Sequence, residues 1–250
     1  MTFPVYIPVG PWSLHPHFVF ETLAYFVGFR LYLWQRRRDG DAIDTATRWS
    51  IVAAAIGGAA IGSKLLFWFE DPALTWQHRV DLEFLMSGKT IVGGLVGGLI
   101  GVEVTKLALG VHRSTGDLFA IPLAIGAAIG RIGCFLSGLA DQTYGVATAL
   151  PWGVDFGDGV RRHPTQLYEM VFLVGLAMYL VRLSRRPHAN GELFMAFMTG
   201  YLAFRLAVDF LKPEPRYWAL TSIQWAALAV LLYYARLWRN RGSFPAGSRR

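Results

Sequence analysis

The sequence predicts an all-α integral membrane protein, a bundle of about seven transmembrane helices with loop elements on its outer side. Three observations carry that prediction. Apolar runs recur along the whole chain, each near the roughly 20 residues that a helix needs to cross a bilayer. Hydrophobic residues make up 54% of the 250 and charged residues 16%, too few to clothe a water-soluble globule. The basic residues behind the net charge of +7 sit mostly in short stretches between apolar runs, a pattern of membrane topology rather than of nucleic-acid binding. A single membrane domain, 1–250, is expected to use the full length. The lone cysteine, Cys134, excludes an internal disulfide framework.

The elements follow in order. The first span, 14–34, carries His17, Glu21 and Tyr25 at i, i+4 and i+8, which places them in one stripe. The second, 48–69, holds Lys64 in its outer half. The third and fourth, 90–111 and 116–137, contain GGLVGGLIG (93–101) and AIGAAIGRIG (124–133). Such small residues let backbones approach in lipid, where no hydrophobic force drives helices together. The fifth, sixth and seventh spans are 165–183, 192–212 and 218–238. The last has no lysine, which argues against a retinal Schiff base. Two connections are long, 70–89 and 138–164. The second contains DQTYG, PWG and FGDG, turn-rich segments expected to pack over the outer mouth of the bundle.

Loop charge sets the orientation. With the N-terminus outside, 14 Lys and Arg fall on the inner side, among them Arg36, Arg37, Arg38, Arg113, Arg185, Arg186, Arg249 and Arg250. Six fall outside: Arg79, Lys89, Arg161, Arg162, Lys212 and Arg216. The positive-inside rule then gives N-terminus out and C-terminus in. The opening 13 residues contain no Lys or Arg, so a secretory leader is not expected.

Arg30, Glu103 and Lys106 lie nearer the inner ends of their spans, where the two basic side chains can snorkel to the interface. Six charged residues stand in the outer parts of the spans: Glu21, Lys64, Arg131, Glu169, Arg205 and Asp209. Burying one such charge at a helix centre costs roughly 2.5–3.5 kcal/mol. They are therefore expected to face inward and to pair with one another or with a ligand. Asp209 follows Arg205 by four residues and can serve it, but nothing near Arg131 in sequence does the same. A phosphate between the two helices would satisfy both guanidiniums, whose planar forks suit it, and at that depth the phosphate to hand belongs to a phospholipid. Glu21 or His163 could take a proton. For His17, Tyr25 and Tyr168 the plainer reading is interfacial anchoring, and for Cys134 a small packed residue. No metal motif, phosphate loop or dinucleotide fingerprint is present, and no metal site is expected.

GRIGCFLSG (130–138), HPTQLYE (163–169) and YLAFRLAVDFLKPE (201–214) resemble, in order and spacing, the bacterial prolipoprotein diacylglyceryl transferases. SGKTIVGGLVGGLIG (87–101), AIGSKLLFWFEDP (60–72) and FETLAYFVGF (20–29) are similar to that family's third, second and first spans. The resemblance implies a multi-pass enzyme of the bacterial inner membrane with a periplasmic N-terminus. It would move the diacylglyceryl group of phosphatidylglycerol onto the cysteine thiol of a preprolipoprotein signal peptide, releasing glycerol phosphate, with no cofactor. On the resemblance, Arg131, Arg205 and either Glu21 or His163 carry the chemistry. Tyr25, Lys64, Gly93, Gly94, Gln166, Tyr168, Glu169 and Asp209 would hold the lipid.

The chain departs from the family pattern at several positions. Val92 stands where histidine is usual, Cys134 where asparagine is, Glu21 in place of a tyrosine, Lys64 in place of an arginine and Asp209 in place of a glutamate. The family's Asn-Gly-Glu run becomes Ser137-Gly138-Leu139, with Asp141 as a shifted acid. These changes bear on the acceptor more than on the lipid donor. The alternatives are a paralogue with another acceptor or donor lipid, or a lipid-binding or transport protein without catalysis.

Overall fold

A computed structural model describes residues 2–241. Arg249 and Arg250, counted above among the inner charges, lie outside the described residues. The elements run β1 (Ile7–Val9), β2 (Trp12–Leu14), α1 (Pro16–Asp39), α2 (Thr45–Glu70), α3 (Pro72–Gln77), α4 (Leu82–Ser87), α5 (Ile91–Ala108), α6 (Asp117–Ser137), β3 (Val154–Asp155), β4 (Arg161–Arg162), α7 (Thr165–Ser184), α8 (Glu192–Val208) and α9 (Ser222–Arg241). One 3-10 turn, Gly138–Asp141, continues α6, and another, Asp209–Leu211, continues α8. Seven long helices among the described residues overlap the positions expected for spans. Five of them, α2, α5, α6, α7 and α8, are long and apolar enough to cross a membrane by length and composition.

The chain forms two compact units, one from 1–40 and 115–213 and the other from 41–114 and 214–241. In the first, α6 packs against α1, α7 and α8. Its core includes Ala120, Ala124, Leu173, Leu180, Met198 and Leu202, all buried. Tyr32 of α1 stacks on Phe119 of α6 at 4.8 Å. Asp117, at the start of α6, accepts from the backbone N–H groups of Gly191 (2.6 Å) and Phe194 (3.0 Å), where α8 begins. A carboxylate there satisfies donors that a helix start leaves open and suits the positive end of its dipole.

The 138–164 connection is an ordered structure. β3 and β4 pair antiparallel, Val146 N–H donates to the Leu211 carbonyl at 2.7 Å, and Thr165 Oγ1 donates to the Thr143 carbonyl at 2.6 Å. These bonds tie the end of α8 to the start of α7. Beyond the spans, the Arg162 guanidinium donates to Asp158 at 2.7 Å and holds that carboxyl below its usual range.

In the second unit α2 lies along α5, with α9 packed on both. The seam is built of glycine. A Cβ on Gly62 would stand 2.7 Å from the Gly97 Cα, and a Cβ on Gly97 would stand 2.8 Å from the Gly62 Cα. Gly58, Gly62, Gly93, Gly97 and Gly101 recur every four residues on their helices, the small-residue spacing that close crossings in lipid require. Two short helices fill the 70–89 connection. Each starts on an aspartate, with Asp71 accepting from Leu74 N–H at 3.0 Å and Asp81 from Phe84 N–H at 3.2 Å.

Candidate functional site

The site assembles in the first unit from α6, α7 and α8. Tyr201, Arg205 and Asp209 recur every four residues on α8 and its 3-10 continuation, so they share one face. Arg131 projects from the last turns of α6, and Glu169 lies on the second turn of α7. All five are buried, Glu169 at 2% exposure and Arg131 at 5%.

They converge on Glu169. Arg131 Nη2 lies 2.9 Å from both Glu169 oxygens. Arg205 Nη1 is 3.3 Å from Oε2, and the Tyr201 hydroxyl donates to Oε1 at 2.5 Å. The other arm of Arg205, Nη2, pairs with Asp209 Oδ1 at 2.7 Å. Arg131 thus pairs within the set of in-span charges, one of the two outcomes expected from the sequence. Its partner is Glu169, 38 positions away on another helix, so sequence proximity could not reveal it. Glu169 therefore acts as a shared counter-ion for the two arginines.

Donors remain over. The Nε groups of Arg131 and Arg205 are buried and lack a hydrogen-bond partner, as are both amide atoms of Gln166. Gln166 lies three residues before Glu169, on the same side of α7. Lys212 is also buried. Buried donors without partners are costly in a low-dielectric interior. An anion bound there would relieve that cost.

A second polar cluster adjoins the first. Arg131 Nη1 lies 3.6 Å from Cys134 Sγ. Ligand-type atoms of Cys134, His17 and Asp141 lie within 4.8 Å of one another, and His17 Nδ1 stands 2.7 Å from Asp141 Oδ1. His17 Nε2 lies 3.4 Å from Glu21 Oε2, and Tyr25 donates to Glu21 Oε1 at 2.9 Å. The stripe read from the first span is thus a hydrogen-bonded row. It borders a cavity of about 440 Å³ lined by His15, His17, Phe18, Glu21, Ser137, Ala140 and Asp141. A cavity of similar size, about 460 Å³, lies among loop residues such as Thr148, Val160 and Arg161. It touches neither cluster.

The remaining sequence candidates fall elsewhere. His163 Nδ1 meets the Tyr168 hydroxyl at 3.2 Å, and Trp152 Nε1 donates to the same oxygen at 2.8 Å. These contacts join the loop to α7 rather than to the arginines. Lys64, Gly93 and Gly94 belong to the second unit. There the Lys64 ammonium donates to the carbonyls of Met86, Ser87 (3.2 Å) and Gly88 (2.7 Å), closing the end of α4. Gly93 packs against Gly62 and Leu66, whereas Gly94 has ordinary room. Sequence reasoning missed Tyr201, although its i−4 spacing from Arg205 was visible, and missed Lys212. It also assigned no role to the pairing of His17 with Asp141, which the fold alone brings together.

The family model for prolipoprotein diacylglyceryl transferases matches residues 4–239. Among curated relatives, the phosphatidylglycerol–prolipoprotein diacylglyceryl transferase of Bordetella parapertussis is 30% identical over 256 residues, covering 94% of each chain. That of Cupriavidus necator is 31% identical over 254 residues, 92% of this chain and 89% of its own. That of Clostridium tetani is 33% identical over 175 residues, 67% of this chain and 69% of its own. The match spans every element that builds the buried arginine cluster, and the chain belongs to the prolipoprotein diacylglyceryl transferase family.

Proposed function

We propose that this membrane protein transfers the diacylglyceryl group of phosphatidylglycerol to the cysteine thiol of a prolipoprotein signal peptide, at the periplasmic face of the inner membrane. The observation that carries the proposal is the buried Arg131–Glu169–Arg205 cluster, with its unpartnered Nε donors. A phosphodiester carries one negative charge and offers two free oxygens, so it can accept from both guanidiniums. In the reaction the glyceryl carbon–oxygen bond to phosphate breaks, a carbon–sulfur bond forms, and glycerol phosphate leaves with the negative charge. Arg131 and Arg205 hold that charge as it develops, in a dry setting where fixed donors act strongly.

The thiol proton goes to Glu21. Glu21 is partly exposed, lines the cavity, and faces His17, which lies beside Cys134 and so close to Arg131. His163 is the weaker base, because its ring is engaged with Tyr168. Gln166 supplies a further donor to the phosphate, Asp209 fixes Arg205, and Tyr201 fixes Glu169.

One observation favours a different acceptor. Val92, where the family carries histidine, is buried at 1% exposure and can exchange no proton. The decisive experiment incubates purified protein with labelled phosphatidylglycerol, with and without a lipobox peptide, and reads products by mass spectrometry. Thioether on the peptide cysteine with release of glycerol phosphate is expected. Lipid turnover that ignores the peptide would move the activity to another acceptor. No turnover by folded protein would leave a lipid-binding role.

A further inference from the structure

The cluster of His17, Cys134 and Asp141 is not needed for phosphate binding, and its composition is peculiar. It combines three kinds of metal-binding side chain from α1, α6 and the turn after α6. One potential ligand atom of each lies within 4.8 Å of the others. We propose that His17, Cys134 and Asp141 bind a divalent transition-metal ion of zinc's chemical class, with Glu21 as the outer carboxylate that orients the histidine.

Four features support the assignment. First, the His17 Nδ1 atom is buried and makes no hydrogen bond of acceptable geometry, although Asp141 Oδ1 is only 2.7 Å away. A nitrogen lone pair and a carboxylate oxygen facing one point are arranged for a shared cation. Second, His17 Nε2 faces Glu21 at 3.4 Å. A metal-binding histidine commonly donates its other ring N–H to a carboxylate, which fixes tautomer and ring plane. Asp141 is held likewise, its Oδ2 accepting from Thr143 Oγ1 at 2.7 Å. Third, the thiolate of Cys134 and the carboxylate of Asp141 with a neutral imidazole sum to −2, the complement of a divalent ion. Arg131 Nη1, 3.6 Å from Sγ, would donate to the bound thiolate. Fourth, His17 and Asp141 line the cavity of about 440 Å³, which gives the ion an entrance and room for a fourth, non-protein ligand.

The donor set selects the metal. A thiolate, an imidazole and one carboxylate suit zinc-like ions and do not suit calcium or magnesium, which prefer several oxygens. Two ligands at tetrahedral angles, each about 2.0–2.1 Å from zinc, lie roughly 3.3 Å apart. His17 and Asp141 would therefore have to separate by a few tenths of an ångström. Asp141 ends a short 3-10 turn followed by Gln142 at φ 52°, outside the packed helices, and can supply that movement.

The test uses the full chain in detergent, stripped with a chelator, without lipid or peptide, so its outcome is independent of the transferase reading. Zinc alone is titrated by calorimetry, and cobalt is titrated while a thiolate-to-metal charge-transfer band is followed. One equivalent per chain is expected, with the band absent in Cys134→Ser. Affinity should fall at least tenfold in His17→Ala and Asp141→Asn, and roughly 10–100-fold in Glu21→Gln, as for other outer-shell partners. Zinc should also slow alkylation of Cys134 by iodoacetamide in the wild-type chain, a readout that no variant's misfolding can affect. Binding well below one equivalent would overturn the proposal. So would binding unchanged in Cys134→Ser and His17→Ala, or alkylation unaffected by zinc.

Discussion

At the scale of single residues, Glu169 and the two arginines have separable parts. Lysine at position 131 or 205 keeps the charge and loses the fork that spans two oxygens. Arg131→Lys and Arg205→Lys are each expected to lower lipid turnover by roughly 100–1000-fold, the cost of losing one fixed donor to a developing anion, while thermal unfolding in detergent shifts little. Near-normal turnover in both folded variants would make the arginines structural. Glu169→Gln has the opposite signature. It leaves Arg131 facing a neutral amide and Arg205 held by Asp209 alone, and breaking a buried ion pair in this way costs about 3–5 kcal/mol. The loss should appear as a lower unfolding midpoint before any assay of turnover. An unfolding midpoint equal to wild type would mean that the pairing seen here contributes little.

At the scale of elements, the glycine seam between α2 and α5 makes a graded prediction. A Cβ at position 97 meets backbone atoms of Gly58 and Gly62 that cannot rotate away, whereas one at Gly94 meets only Ala59 and Ser63 at 3.7–3.8 Å. Gly97→Val is expected to destabilise by about 1–3 kcal/mol, the usual range for overpacking, and Gly94→Ala to be close to neutral. Equal yields and melting temperatures for the two would show that the helices separate easily.

The sequence revealed the long helices well because apolar length is a local property. The second span was expected at 48–69 and is Thr45–Glu70; the fifth was expected at 165–183 and is Thr165–Ser184. The ends that moved have reasons. α1 continues to Asp39 because a basic stretch, Arg36–Arg38, remains helical beyond the apolar run. α9 starts late, at Ser222, because Trp218 and Ala219 hold positive φ and Tyr217 pairs with Leu220. The short helices α3 and α4 were legible in Asp71-Pro72 and Asp81, cap signals that the reading of 70–89 as a loop passed over. What no local pattern could show was the convergence of Arg131 on Glu169 and of His17 on Asp141, since both join separate elements.

For the whole molecule, the testable quantity is orientation. Cysteines placed at Val80 and Ala149, exposed positions in the two long connections, should react with a membrane-impermeant maleimide from the periplasmic side in a Cys134→Ser background. A cysteine at His188, exposed between α7 and α8, should react only after permeabilisation. The motive is the excess of 14 basic residues over 6 in the segments assigned to the cytoplasm. Labelling of position 188 in intact cells would invert the topology and put the arginine cluster on the wrong leaflet for a secreted acceptor.

The carboxylate between the two arginines also bears on how the enzyme lets go. On the proposed mechanism, a phosphate entering the cluster would compete with Glu169, an internal rival at 2.9 Å from Arg131 and 3.3 Å from Arg205. Phosphatidylglycerol meets that rival from within the bilayer, where it is concentrated and its chains add their own hold. Glycerol phosphate has no chains, and once cut free it faces dilution into water. In that scheme the same resident anion that a lipid displaces also expels the product, so each turnover would end with the arginines paired again.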